Sequence, residues 1–358
     1  MIIYLFAIFI ILFFGIVFKP NKRSQNKKIY CIIVGIVLFL IMALRKYTIG
    51  IDLEKVYYPN YVKFNNVSID ELKNIVWGGN WEFGFCLFLN ILNKINPDPQ
   101  FFIVSSSFII CFAYSFFIYK KSQDVIMSFL IFITSLMFYM SMNVVRQFLA
   151  ASIILFGILF LEKKRYILAT CLFLLSSQFH SSAIVSLVFL VFYFFKKKRI
   201  NMVICVMLFL VPFFSRYIIS FAFNIHIFEK YAWYLESEHF QGYFTINSIY
   251  GFVLPLSIFV FLSLSRYRQK DNFVYNILVL DIMFRLFSFF INVVSRISIY
   301  FDFAILLGLP MAINSFKYET NKTLKTLYAG GTIFAFLIIT VLRAGMLFGT
   351  YPYEFFWS

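Results

Sequence analysis

Apolar runs of about 17–22 residues recur from one end of this chain to the other, and they limit what it can fold into. Each is long enough to cross a bilayer as a helix. Inside hydrocarbon only helices and closed barrels satisfy their own backbone, and barrel strands alternate apolar with polar residues. These runs do not alternate: "MIIYLFAIFIILFFGIVF" is apolar on every face. The expected fold class is all-α, a polytopic integral membrane protein. Charged residues make up 13% of the 358, about half the share in soluble domains.

The first run lacks a basic segment before it and a small-residue cleavage site after it, so it reads as a transmembrane helix and not as a removable signal. The five cysteines, Cys31, Cys86, Cys111, Cys171 and Cys205, are scattered without metal-ligand spacing. With three histidines in the chain, no metal site is expected. The net charge of +16 invites a nucleic-acid reading until the cations are placed. They fall in short clusters between apolar runs: Lys22 to Lys28, Lys120 and Lys121, Lys163 to Arg165, Lys196 to Arg199, Arg266 to Lys270, and Lys317 to Lys325. This is the signature of cytoplasmic loops, and no nucleic-acid partner is expected.

Placing every cluster in the cytoplasm fixes a topology. Helices about 2–18 and 30–44 run in and out, leaving about 45–99 outside. Helix 100–119 enters, 125–161 is a hairpin turning outside near Asn143 to Arg146, and 166–195 is a second hairpin turning outside on "SSQFHSSA". Helices about 200–214, 247–265, 272–292, 297–314 and 326–343 complete about twelve crossings, with a second outer segment at about 215–246. The short run Trp81 to Ile95 breaks this parity and reads as a re-entrant or interfacial helix. A single transmembrane domain, 1–358, is the simplest organisation.

Arginines dominate the cations that this topology leaves outside or in the outer half: Arg45, Arg146, Arg216, Arg296 and Arg343. A guanidinium offers a planar donor fork suited to phosphate, so together they point to an anionic ligand. The alternative for each is snorkelling to lipid phosphate. Asp281 and Arg285, four apart, read as an ion pair inside the bilayer, with Asp302 available to Arg285 or Arg296. In the outer segment, Asp52, Tyr57, Trp81 and Glu82 supply acceptors and flat faces for sugars. An interfacial aromatic belt explains the rings equally well. His180 reads either as a packed ring or as a functional one.

The stretches "RKYTIGIDLEKVY", "WEFGF", "MNVVRQFLAASIILFGILFLEKKRY" and "SSQFHSSAIVSL", in this order, resemble the EpsG family, related to Wzy-type polysaccharide polymerases. The likeness is strong over about residues 40–195 and extends beyond them only in helix pattern. It implies a GT-C-like glycosyltransferase at the outer face of the bacterial cytoplasmic membrane. Such enzymes join repeat units carried on undecaprenyl pyrophosphate into O-antigen, capsule or exopolysaccharide, beside a chain-length regulator and a flippase of the same pathway. No cofactor is implied.

That reaction assigns roles. Arg146 stabilises charge developing on the departing pyrophosphate. Arg45, Gln147, Arg216 and Arg296 support it, with Glu82, Trp81 and Tyr57 on the sugar. His180 takes the acceptor proton or orients the hydroxyl, with Asp52 or Glu82 as the competing base. The alternatives are a lipid-linked oligosaccharide flippase, an O-antigen ligase and an O-acyltransferase.

Overall fold

The computed structural model describes residues 2–22, 24–64, 67–68, 71, 81–215, 217, 246–264, 272–315, scattered positions between 327 and 338, and 348–358. Regular structure among them is helical, with one isolated bridge between Arg45 and Phe355. Three helices are long and apolar enough to cross a membrane: α2 (Ser24–Ala43), α5 (Pro99–Lys121) and α8 (Val145–Glu162). A bent pair, α6 (Val125–Thr134) and α7 (Met137–Asn143), meeting at 52°, is apolar enough together to be a broken span or a re-entrant loop. Shorter apolar helices accompany them, α1 (Ile2–Phe18) among these. This is the helix set of an integral membrane protein.

The ends of these helices follow local chemistry. Asp98 caps α5 by accepting the Gln100 N–H at 2.9 Å, with Pro99 in the first turn. Asp124 accepts the Met127 N–H at 3.1 Å and starts α6. The expected unbroken arm over 125–143 is interrupted. The Thr134 and Ser135 hydroxyls bond back to the carbonyls of Leu130 and Ile131 at 2.8 and 2.6 Å, loosening the last turn. Leu136 then takes a left-handed φ of 70° and redirects the chain.

The chain packs as two compact units, residues 1–187 with 323–358, and residues 188–322. In the first unit α2 lies against α5, α5 against α8, and α8 against α9 (Tyr166–Ser177). Just past the C-terminal end of α2 lies Arg45, which is fully buried. Its guanidinium donates to the Met42 carbonyl, to Ser107 Oγ at 3.1 Å and to the Met142 carbonyl at 3.3 Å. Burial lowers its pKa to about 10, so it stays a cation at neutral pH.

Residues 348–358 close over this arginine. The Phe356 and Lys46 N–H groups donate to the carbonyls of Leu44 and Glu354, both at 3.0 Å. Tyr353 donates its hydroxyl to the Ile41 carbonyl and Tyr4 donates to the Thr350 carbonyl, both at 2.7 Å.

The short run before α5 folds as α4 (Phe83–Ile95), 13 residues and about 20 Å long, less than the hydrocarbon thickness. It buries Phe85, Cys86, Leu89 and Leu92, while Asn93 holds the Tyr61 carbonyl at 2.9 Å. That bond ties α4 to α3 (Tyr58–Lys63), which follows one π-helical turn, Leu53–Tyr57.

The second unit contains α10 (Val188–Phe194), α11 (Met202–Leu210), α12 (Ile246–Leu264), α13 (Phe273–Ser288), α14 (Ser295–Ser298) and α15 (Phe303–Ser315). The helix expected over 297–314 is thus two pieces, and Asp302 sits at the break. Arg285 joins both acids there, donating through Nε to Asp281 Oδ1 at 2.9 Å and through Nη2 to Asp302 Oδ1. The span expected over 326–343 and most of the outer segment at 215–246 lie outside the described residues.

Two stability measurements follow. Arg285→Met strips two buried carboxylates of their common partner and costs about 3–5 kcal/mol, whereas Asp281→Asn keeps a hydrogen-bonding group beside the arginine and costs less. Thermal midpoints of the two purified variants give the order. The Tyr353 phenol is pushed up to about 12, chiefly by burial, with Arg45 opposing. An acid raised in the fold stabilises it while protonated. Its contribution is complete below the ordinary value of 10 and is lost as pH rises through about 12. Tyr353→Phe loses about 1 kcal/mol at neutral pH and shows a shallower fall in thermal midpoint over that window.

Candidate functional site

Three stretches distant in sequence meet at the end of the first unit that also holds Arg45. They are the N-terminus of α8, the N-terminus of α4, and the turn after α9. Each carries one of the motifs "RQ", "WEFGF" and "FHSSA".

Arg146 lies in the first turn of α8, and its Nη1 donates to Glu82 Oε2 at 2.9 Å. Both side chains are 16% exposed, so the pair is shielded but reachable. The guanidinium lies over Trp81, 5.2 Å from the ring centroid, and over Phe85 at 5.6 Å. A planar cation between aromatic faces and a carboxylate keeps a fixed orientation. Glu82 is the residue preceding α4, yet its side chain does not cap that helix. Its second oxygen, Oε1, accepts the Ser181 N–H at 2.7 Å. One carboxylate therefore joins the arginine to the turn that carries the histidine.

Gln147, the next residue, faces that histidine. Its Nε2 lies 3.3 Å from His180 Nε2, and Ser182 Oγ lies 2.8 Å from His180 Nδ1. In a neutral imidazole one nitrogen donates and the other accepts, so these two neighbours set the tautomer together. Gln147 is 3% exposed, and its Oε1 is buried with no hydrogen-bond partner among the described residues.

The turn and the helix are stapled directly as well. The Phe85 N–H donates to the Gln178 carbonyl at 2.9 Å. Gly84 permits this approach, because a Cβ there would lie 2.7 Å from Gln178 Cβ and 2.8 Å from its carbonyl oxygen.

The Tyr57 ring packs between Trp81, Phe85 and Phe102, at centroid distances of 6.2, 5.9 and 6.2 Å. Burial raises its phenol above the ordinary value, Arg146 lowers it through charge and hydrogen bonding, and Asp52 raises it. Asp52 is half-buried and fixed by its backbone, whose N–H donates to Asn143 Oδ1 at 2.7 Å. Gly50, two residues earlier, adopts a φ of +113° and leaves room for the Met142 carbonyl, which a Cβ would approach to 2.8 Å.

Six sequence candidates thus come together: Arg146, Gln147, His180, Glu82, Trp81 and Tyr57, with Asp52 beside them. Arg45 does not join them. It is an interior residue, fully buried, whose donors hold the carbonyls of two helices. Arg296 is exposed on α14 of the second unit, and Arg216 lies outside the described residues, as does Arg343. Sequence reasoning did not single out Phe85 or the Ser181 amide. Phe85 was visible as the last letter of "WEFGF", but a main-chain N–H has no residue signature. Among the described residues, no three His, Cys, Asp or Glu side chains come together as a metal-holding group.

A model of the EpsG family matches residues 28–355. No curated protein and no solved structure matches the chain.

Gly84→Ala tests the staple. Alanine raises helix propensity by about 1 kcal/mol, but its Cβ meets backbone that cannot yield cheaply, at a cost of about 1–3 kcal/mol. The Phe85 amide is expected to exchange hydrogen about tenfold faster or more in the variant, measured by mass spectrometry on the full chain.

Proposed function

The chain belongs to the EpsG family, and on that premise we propose that it is a polysaccharide polymerase of the membrane, a glycosyltransferase using lipid-linked sugar. Its substrates are oligosaccharide repeat units on undecaprenyl pyrophosphate, and it joins them into O-antigen, capsule or exopolysaccharide. In this reading a single transmembrane domain of about twelve crossings and GT-C-like architecture sits in the bacterial cytoplasmic membrane. The end bearing Arg146 faces outward, opposite the lysine clusters.

The observation that carries this is the Arg146 guanidinium, clamped by Glu82 and by two aromatic faces within reach of the Gln147–His180 pair. When the bond between the anomeric carbon and the carrier oxygen breaks, negative charge grows on the pyrophosphate. A cation already oriented toward that charge stabilises the transition state without reorganising. Glu82 supplies the orientation. With Oε2 on Arg146 and Oε1 on the Ser181 amide, it is a positioning group here and no longer the competing base.

The acceptor sugar hydroxyl has to lose a proton as it attacks. His180 is the group suited to that at neutral pH, with the Gln147 amide and Ser182 together setting which nitrogen accepts. Asp52 is the alternative base. Trp81 and Tyr57 offer apolar faces for a pyranose ring. A chain-length regulator and a flippase act before and beside this step.

The test is the length distribution of surface polysaccharide in a strain lacking the native gene. Arg146→Ala lowers chain extension by about 100-fold or more and leaves single repeat units, at normal protein levels in the membrane. His180→Ala acts in the same direction. A transporter defect would leave no repeat units at the surface, and normal ladders from both variants would remove this site from the reaction.

A further inference from the structure

The two longest spans of the first unit do not close on each other along their full length. Between α2 and α5 runs a groove of about 460 Å³. Gly35 and Ser115 touch at its base, where a Cβ on Gly35 would lie 2.7 Å from Ser115 Oγ. One wall is an aromatic ladder on α5, in which Phe108, Phe112 and Phe116 stack at 5.9 and 5.8 Å. The facing wall is Ile32, Ile36 and Phe39 of α2. Ile32, Ile36 and Phe112 are each 51% exposed, so the groove opens sideways from the helices.

Its length and its charged end identify what fills it. From Lys28 to Phe39 the groove follows eleven helical rises, about 16 Å. Half of a 30 Å hydrocarbon core is about 15 Å, so the groove spans one leaflet. Lysines crown only one end. Lys28 lines it, and Lys120 rises beside it with Nζ 5.0 Å from the Tyr119 ring centroid and 5.4 Å from that of Phe116. None of the lining residues is acidic. An apolar slot one leaflet deep, ending in two exposed lysines, matches a single acyl chain below an anionic phosphate.

We propose that this groove is a binding site for an anionic glycerophospholipid of the leaflet on the lysine side. The lipid is distinct from any substrate at Arg146. That residue opens α8, whereas Lys121, beside the groove's lysines, pairs with Glu162 at the other end of the same helix. The 18 residues of α8 separate the two ends by about 27 Å. The bound lipid fills the seam between α2 and α5 and holds their spacing.

The experiment uses the full chain in detergent, titrated with phosphatidylglycerol or phosphatidylcholine of identical acyl chains and read by native mass spectrometry. Two lysines beside one phosphate favour phosphatidylglycerol by about thirtyfold. Lys28→Gln with Lys120→Gln, both on exposed positions, brings the preference to within about threefold while binding of both lipids persists. Ile36→Trp fills the groove and weakens both lipids alike.

Equal affinity of the parent for the two lipids overturns the proposal, and so does a preference that survives the double lysine variant. Displacement of phosphatidylglycerol by undecaprenyl phosphate at lower concentration also overturns it, by assigning the groove to the carrier. No sugar substrate enters the experiment, so its failure leaves the polymerase reading untouched.

Discussion

A guanidinium buried to zero exposure must be given acceptors by whatever surrounds it, because leaving it unpaired costs several kcal/mol. Arg45 meets that demand at Nη1 and Nη2, with carbonyls from its own helix end and from Met142 and a hydroxyl on α5, while its buried Nε has no hydrogen-bond partner among the described residues. Three elements are thereby fixed to one point. Met142 lies four residues before Arg146, so the clamp also sets where α8 begins. Gly50 packs against the same carbonyl, and Asn143 takes the Asp52 amide. The segment after α2 and the entry to α8 therefore share one anchor. Arg45 was expected among the ligand-binding residues; in the fold its guanidinium turns inward and anchors the segments that carry the Arg146 cluster.

The cluster around Arg146 shows the same economy of parts. Glu82, Ser181 and Gln178 lie on two stretches about a hundred residues apart, yet the Glu82 carboxylate and the Gln178 carbonyl join them to within hydrogen-bonding distance. Glu82 gives up capping its own helix to do this. A helix terminus without its local cap is the cost of coupling the arginine to the histidine turn, and the Phe85–Gln178 bond supplies a donor–acceptor pair at the same junction.

Much of this could be read from the sequence because bilayers impose strong one-dimensional rules. Apolar runs gave the helical class, and α2, α5 and α8 fall on three of those runs. Charge clusters drew Arg146 and His180 to the turns where they occur. Breaks inside apolar runs were not readable. Leu136 reverses its φ just after Thr134 and Ser135, and the split before Phe303 falls at Asp302, yet both positions lie within runs that read as apolar helices. At these breaks hydroxyls bond back to carbonyls and Arg285 ties Asp302, and the sequence does not name the partners of such bonds. The inward direction of Arg45 was not readable for a related reason. An arginine at a helix end looks the same in sequence whether it reaches outward to phosphate or inward to carbonyls.

The strap formed by residues 348–358 has a consequence in time. Tyr353 reaches the Ile41 carbonyl across 312 residues of chain. At the usual pace of synthesis, about 5–20 residues per second, the Arg45 end of α2 waits roughly 15–60 seconds for its cover. During that interval the Arg45 end of the bundle is inserted but unsealed. The nascent protein must then be held by the insertion machinery or by its own α2–α5–α8 packing, and a stall late in translation would strand it open at the end where the arginine and histidine converge.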